Sequence, residues 1–393
     1  MIPALRNIAA VFAISVFVAT GLSAQGEKPS DISLNGYVKY MNTTIFDEFD
    51  TFWTLDNLIH NRLNFKWHMG SSLTLTAEAR NRVVYGDYVR LMPGYAEMVS
   101  RDNGFLHFLT GNIIESRSMI LASSVDRLNF EYQRGSFSAT IGRQRINWGQ
   151  SFAWNPNDIF NAYSFFDFDY EERPGSDAIR LQYFPGYTSV VDAAIKMDKD
   201  NNITAALLYR FNKWSYDIQV MGGVIDSSDF VIGGGWSGSL GKFGFTGEAS
   251  YFHPQENFSD TTGVMLATAG LNYVFSNSLS VSAEVIYNGY FSRAGIGSFT
   301  DLYFMPMTAK SISFSKFSWF GQLSYPIHPL LTGTLAAMYF PSLGNGYFIM
   351  PSLAWSVAPD AGVSLLGQRF RGSFSGGDPE KLNLLFLRFR YDF

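Results

Sequence analysis

The chain contains no cysteine, which excludes disulfide scaffolds, thiol catalysis, thiolate metal sites and a lipidated N-terminal cysteine together. It also lacks long apolar runs. Beyond the N-terminal segment none approaches the roughly 18 residues that a membrane-spanning helix requires, so a helical membrane protein is excluded. Basic charge is in deficit, with 29 Lys and Arg against 34 Asp and Glu, and this mildly acidic balance gives no support to nucleic-acid binding. Histidine is sparse: His60, His68, His107, His253 and His328 are scattered, and no two have the spacing of a helical zinc pair. Aromatic residues and glycine are abundant. The sequence holds 36 Phe, 21 Tyr, 8 Trp and 36 Gly, residue classes that favour strands and tight turns.

The N-terminus stands apart. Arg6 is the only charge before Glu27, and an apolar block from Ile8 to Ala19 runs into Thr20, Gly21, Leu22, Ser23 and Ala24. This pattern predicts a secretory signal peptide over 1–24, cut after Ala24; the alternative is a short membrane anchor, for which the block is too short. A short periplasmic segment over 25–32 would follow, and then one domain over 33–393. So short a segment leaves no room for the plug domain of a TonB-dependent receptor.

From residue 33 onward the pattern is two-residue alternation in segments separated by Gly, Asn, Ser, Asp or Pro. Leu63, Phe65 and Trp67 alternate with Arg62, Asn64 and Lys66, and Leu128, Phe130 and Tyr132 alternate with Arg127, Asn129 and Glu131. The strands read as 33–46, 58–68, 71–84, 125–134, 136–148, 177–184, 187–196, 202–212, 213–222, 229–240, 242–253, 262–275, 278–291, 312–325, 329–341, 346–357, 360–372 and 381–393. Every even-numbered join is tight, and every long join is odd-numbered: 47–57, 85–124, 149–176, 254–261, 292–311 and 373–380. A soluble sandwich has no reason to sort its loops so. The fold class expected is all-β, a transmembrane antiparallel barrel of about 18 strands (16 to 20) in the bacterial outer membrane, with short periplasmic turns and long extracellular loops. The join 85–124 would hold a short helix or a further hairpin.

The last strand carries the sharpest local signal. Leu385, Leu387, Phe389, Tyr391 and Phe393 alternate with Phe386, Arg388, Arg390 and Asp392, and the sequence stops on Phe393. This resembles the terminal strand of outer-membrane barrels, in which a final aromatic is read by the barrel-insertion machinery; Phe389, Tyr391 and Phe393 would form that signal.

If the apolar face meets lipid, the other face lines a lumen. Its basic wall would comprise Lys39, Arg62, Lys66, Arg80, Arg82, Arg127, Arg388 and Arg390, with Glu78 and Glu131 among them. The join 149–176 combines Asp158, Asp167, Asp169, Glu171 and Glu172 with Phe152, Trp154, Phe160, Tyr163 and other aromatics. So aromatic a loop would expose a large apolar patch in water. It is therefore expected to fold inward as a constriction whose acids face the basic wall, while its aromatic excess carries specificity. A cap over the mouth or a contact with a partner are the alternatives.

The stretch Gly142-Arg143-Gln144-Arg145-Ile146-Asn147-Trp148-Gly149, then Asn155-Pro156-Asn157-Asp158, then Arg173-Pro174-Gly175 resembles a pattern of uncharacterised porin-like outer-membrane families, distantly similar to alginate-export barrels. The resemblance covers about 35 residues and implies an outer-membrane channel or transporter. Physically, Gly149, Pro156, Pro174 and Gly175 would fix the loop's exits. Arg143 and Arg145, with Trp148 and Arg173, would form its base, where the arginines reach carboxylates.

Other chemistry is weaker. Asp198-Lys199-Asp200-Asn201-Asn202 imitates a calcium loop but has Tyr209 at the twelfth place, and reads as a hairpin turn. Asp167, Asp169, Glu171 and Glu172 would gather a structural calcium only if the loop brought three of them together; no other cofactor is implied. Gly233-Gly234-Gly235 opens no helix and reads as close packing or strand bending. A hydrolase would need Ser, His and an acid at one rim; only His60, near Asp56, is placed for it, and no nucleophile accompanies it. The reading is thus a channel, not an enzyme, passing small solutes as a monomer or homotrimer among outer-membrane lipid. The alternatives are a transporter of hydrophobic molecules, a structural or partner-binding barrel and, remotely, an outer-membrane hydrolase. Alternation divides the apolar residues between lipid and lumen, so no globular core is expected.

Overall fold

The computed structural model describes residues 31–48, 53–162, 172–173, 175–291, 308–374 and 377–393. The expected signal peptide and residues 25–30 lie outside them. The strands are β1 (Ile32–Phe46), β2 (Thr54–Met69), β3 (Leu73–Gly86), β4 (Thr110–Glu115), β5 (Met119–Arg134), β6 (Phe137–Gln144), β7 (Ser176–Gly186), β8 (Ser189–Met197), β9 (Ile203–Lys213) and β10 (Tyr216–Ile225). They continue as β11 (Asp229–Leu240), β12 (Phe243–Pro254), β13 (Val264–Val274), β14 (Ser280–Asn288), β15 (Phe317–His328), β16 (Leu331–Phe340), β17 (Gly346–Ala358), β18 (Ala361–Gly372) and β19 (Glu380–Asp392). All but β4 form a closed antiparallel barrel of 18 strands. β19 closes it on β1 from Tyr37↔Asp392 to Phe46↔Asn383.

The alternation works as expected. Val38 and Tyr40 on β1 are exposed, while Tyr37, Lys39 and Met41 between them are buried. The exposed set continues through Phe130, Tyr132, Leu181, Tyr183, Leu385 and Leu387, an apolar outer belt that suits a barrel in the outer membrane. The joins sort onto two rims, and Gly135 and Gly241 in the tight turns take positive φ of 57° and 64°.

The boundaries that differ most from the sequence reading lie at the long-loop rim, where β5 begins at Met119 rather than 125 and β2 at Thr54 rather than 58. β6 ends at Gln144 rather than 148, and β15 begins at Phe317 rather than 312. In both places the chain leaves the wall and turns inward. The join before β5 holds two short helices, α1 (Asp87–Leu91) and α2 (Tyr95–Val99), and the extra strand β4. β4 pairs with the edge of β5 from Thr110↔Ser124 to Glu115↔Ile120, beyond the point where β6 has departed. It does not insert between β3 and β5, which stay paired throughout, so the barrel keeps its 18 strands.

A further correction concerns the interior. A hydrophobic core does form, inside the barrel. Ile146, Trp148, Ala153, Trp154, Ile159 and Phe160 from the inward chain, with Ile312 and Phe314 from the other inward segment, pack on Leu208, Phe252, Leu266, Ile286, Phe320, Phe340 and Phe370 of the wall. The inward chain supplies a surface that the wall's lumen-facing apolar residues can bury against, removing both from water.

Candidate functional site

The site is the lumen between two unlike walls, divided by residues 145–162, with residues 172, 173 and 175 against the opposite wall. Past Gln144 the chain crosses to β8–β15. The Trp148 indole N–H donates to Asp192 Oδ2 at 3.1 Å, and Gln219 Nε2 donates to the Trp148 carbonyl at 2.6 Å. The next backbone amides are then taken by two lumen-facing carboxylates. Glu248 on β12 accepts from the amides of Gln150, Ser151 (2.8 Å) and Asn157 (3.0 Å). Glu284 on β14 accepts from Phe152 (2.9 Å), Ala153 (3.0 Å) and Trp154 (2.9 Å). Successive amides pointing one way make an anion-binding concavity, and here side-chain carboxylates fill it. Asn157 adds a bond from Nδ2 to the Gly234 carbonyl (2.9 Å) and one from Ser250 Oγ to its Oδ1 (2.7 Å).

The glycine run now has its account. A Cβ on Gly233 would stand 2.7 Å from Asn157 Oδ1, and one on Gly235 would stand 2.9 Å from Gln150 Oε1. Only glycine lets the loop seat so close to the wall. Gly175 serves the loop's exit in the same way, with Asp126 O at 2.6 Å and Arg143 Cγ at 2.8 Å from a notional Cβ.

Opposite stands the basic wall. The register aligns Lys39 with His60 and His60 with Arg82, Arg62 with Arg80, and Lys39 with Arg390. Arg62 forks between Asp126 Oδ2 (2.6 Å) and Glu78 Oε2 (2.5 Å), and Arg80 Nε lies 3.4 Å from Asp126. Arg82 donates to the Val99 carbonyl. Arg388 donates to Ser364 Oγ at 3.4 Å, while Arg390 pairs with Asp392 at 2.7 Å and lies 4.1 Å over the Tyr37 ring. Lys66 is set apart, exposed towards the short-turn rim. The wall is therefore partly neutralised, chiefly by Asp126.

The returning chain meets this wall. Glu172 Oε1 accepts from Tyr37 OH at 2.8 Å and lies 3.7 Å from Arg62 Nε. Arg127 Nη2 donates to the carbonyls of Glu172 (2.7 Å) and Arg173 (2.9 Å), and Arg173 takes a left-handed φ of 59°. Tyr163, Asp167, Asp169, Glu171 and Pro174 lie outside the described residues, and with them three of the four acids considered for calcium. At the loop's base, Arg143 is held by Asp177 and Asp102, both at 2.7 Å. Asp158 does not face the basic wall. It is buried beside the core, burial pushes its carboxyl up to about 7, and the charge of Arg145 opposes that rise.

The loop aromatics also correct an expectation. Trp154 and Phe160 are buried in the core, and Trp148 meets Phe160 edge-on at 4.9 Å, so these rings anchor the loop instead of lining a path for solute. His60 is buried against Tyr37 with no hydrogen bond at either ring nitrogen, so no Ser-His-acid relay forms around it. Asx-type bonds within 198–202 make that segment a hairpin turn, as expected. Phe389 and Tyr391 lie on the exposed outer face, and Phe393 exchanges two 2.9 Å backbone bonds with Gly36.

With this geometry in place, solved structures give the comparison. OccAB4 of Acinetobacter baumannii is 10% identical over 93% of this chain and 100% of its own, with a TM-score of 0.55. OccK5 (OpdH) of Pseudomonas aeruginosa is 10% identical over 92% and 98%, with a TM-score of 0.58. OprD of the same organism is 9% identical over 92% and 95%, with a TM-score of 0.57. The chain has the fold of these outer-membrane porins. No protein-family model and no curated protein matches it.

Proposed function

We propose that the protein is an outer-membrane channel for small solutes, exported by its N-terminal signal peptide and inserted through its C-terminal strand. The observation that carries this is the division of the lumen. Glu248 and Glu284 pin the inward loop to one wall, and Glu172 presents a carboxylate to Arg62 on the other. Opposed charges across a low-dielectric constriction create a transverse field that orients and selects solutes. The solved barrels it resembles are substrate-specific outer-membrane channels, which supports the same reading here.

Planar-bilayer recording on the refolded protein tests it. Discrete conductance with a reversal potential favouring anions is expected, and Arg80→Glu with Arg82→Glu should move selectivity towards cations; Arg388→Glu, at a half-buried position, should move it the same way. An unchanged reversal potential would remove the basic wall from the permeation path. The apolar core inside the barrel favours a second reading, passage of hydrophobic molecules. A folded barrel that conducts no ions would decide for it and against an open channel.

A further inference from the structure

The outer surface carries a feature that neither the lumen nor the ordinary lipid belt accounts for. On β10–β12 a groove of about 480 Å³ is lined by Trp214, Tyr216, Ile218, Gly234, Trp236 and Ala249. The register places it outside: Gly234 is opposite Val220, which is exposed, and Trp236 is opposite Ile218, whereas Glu248, opposite Gly235, faces the lumen. Gly234 has no side chain to fill the floor. The groove's aromatic sides are held by glycines, because the Trp236 indole lies against Gly247 and the Tyr216 ring against Gly238, where a Cβ would clash with either ring. Tyr216 OH is fixed by a 2.8 Å bond to the Ser239 carbonyl.

Two further observations point to an occupant. The Trp236 indole N–H is shielded from solvent and meets no acceptor, and an unmet donor in apolar surroundings is costly. At the short-turn rim, Lys213 stands 4.5 Å over the Trp214 ring and Lys242 lies in the turn between β11 and β12; both are exposed, and neither makes an ion pair among the described residues. Trp236 is four residues inside the end of β11 at Leu240, roughly 13 Å along the strand. The cations thus lie at headgroup level and the lone donor below them, where a lipid's ester carbonyls run.

We propose that this groove binds one anionic glycerophospholipid of the periplasmic leaflet. An acyl chain occupies the floor over Gly234 and Ala249, an ester carbonyl accepts from Trp236 Nε1, and Lys213 and Lys242 hold the phosphate. The net charge of the chain is −5, so long-range attraction does not explain anionic preference; the local pair of lysines does.

Native mass spectrometry of the detergent-solubilised barrel, titrated with phosphatidylglycerol or phosphatidylcholine, tests this. One phosphatidylglycerol should be retained per barrel, with phosphatidylcholine about tenfold weaker. Trp236→Phe, which keeps a ring but removes the donor, and Lys213→Gln should each weaken retention several-fold. Gly234→Leu should abolish it. Trp355→Phe, on the outer face of β17, should leave it unchanged, and heat-modifiable mobility reports that each variant is folded. Equal retention of the two lipids would overturn the anionic assignment. Retention indifferent to Trp236→Phe and Gly234→Leu would overturn the groove, as would a barrel dimer that Gly234→Leu dissociates, since a second copy would then occupy it.

Discussion

Removing the carboxylates that hold the inward loop is the most direct test of how the lumen is built. Glu284 accepts three amides at 2.9, 3.0 and 2.9 Å, and Glu248 accepts three more. Hydrogen bonds to a charged partner contribute about 1.5–3 kcal/mol each, so three bonds would support the docked loop by about 4.5–9 kcal/mol per carboxylate. This is an upper range, because an undocked loop returns its amides to water. Even half of its lower end from each residue totals about 5 kcal/mol, more than a thousandfold in the ratio of docked to undocked loop, at 1.4 kcal/mol per factor of ten. The lack of native cysteine gives a clean assay. Ala153→Cys places one thiol at a buried loop position, and its labelling by a maleimide reports undocking. Glu248→Ala and Glu284→Ala should each raise the labelling rate, and the pair should raise it at least a hundredfold. A folded double variant that labels no faster than Ala153→Cys alone would show that Trp148, Trp154 and Phe160 hold the loop without the carboxylates, and would refute the electrostatic account.

Three other outcomes follow from the same geometry. Deleting Phe393 removes two 2.9 Å backbone bonds to Gly36 and the terminal aromatic, so the amount of heat-modifiable barrel in the outer membrane should fall; an undiminished yield would end its role in insertion. Asp158 has a folded value of about 7 against the ordinary 3.8, so the packed loop binds a proton between these values that the free chain does not. Stability should decline as pH rises from about 4 to about 7, with Asp158 contributing on the order of 4 kcal/mol at most, and Asp158→Asn should lessen that dependence in thermal melts. Gly233→Val should push Asn157 off the wall and raise Ala153→Cys labelling several-fold, whereas Gly70→Ala, in an open turn, should not.

Most of the barrel was legible because two-residue alternation and loop sorting are local properties of the chain. All 18 barrel strands stand where alternation placed them, and the larger boundary errors fall at the long-loop rim, two of them where the chain turns inward. Asp126 was not legible, because strict alternation puts it on the lipid side with Leu128. A bulge between Glu78 and Ala79 leaves Asp126 as the extra residue opposite them, so both it and Arg127 turn inward. Glu248 and Glu284 were overlooked for another reason. Each is a lone acid on an otherwise uncharged or apolar strand, a visible signal, but its partners are backbone amides about a hundred residues away that no side-chain pattern reveals. The loop's aromatics marked it as inward-folding, yet their number could not say whether they face solute or wall.

The positions of these misread residues show how the loop is polarised. Towards β12 and β14 it presents amide N–H groups to carboxylates; towards β2 and β5 it presents the carbonyls of Glu172 and Arg173, and the Glu172 carboxylate, to arginines. Each wall therefore carries the charge that suits the end of the loop it receives, and these contacts already use part of that charge. Arg62 has three carboxylates within 4 Å, and Arg127 is spent on backbone oxygens. Counting basic residues along the lumen consequently overstates the field that a solute would meet. Substituting Arg127 would disturb the loop's exit as well as the field, because its guanidinium holds the carbonyls of Glu172 and Arg173.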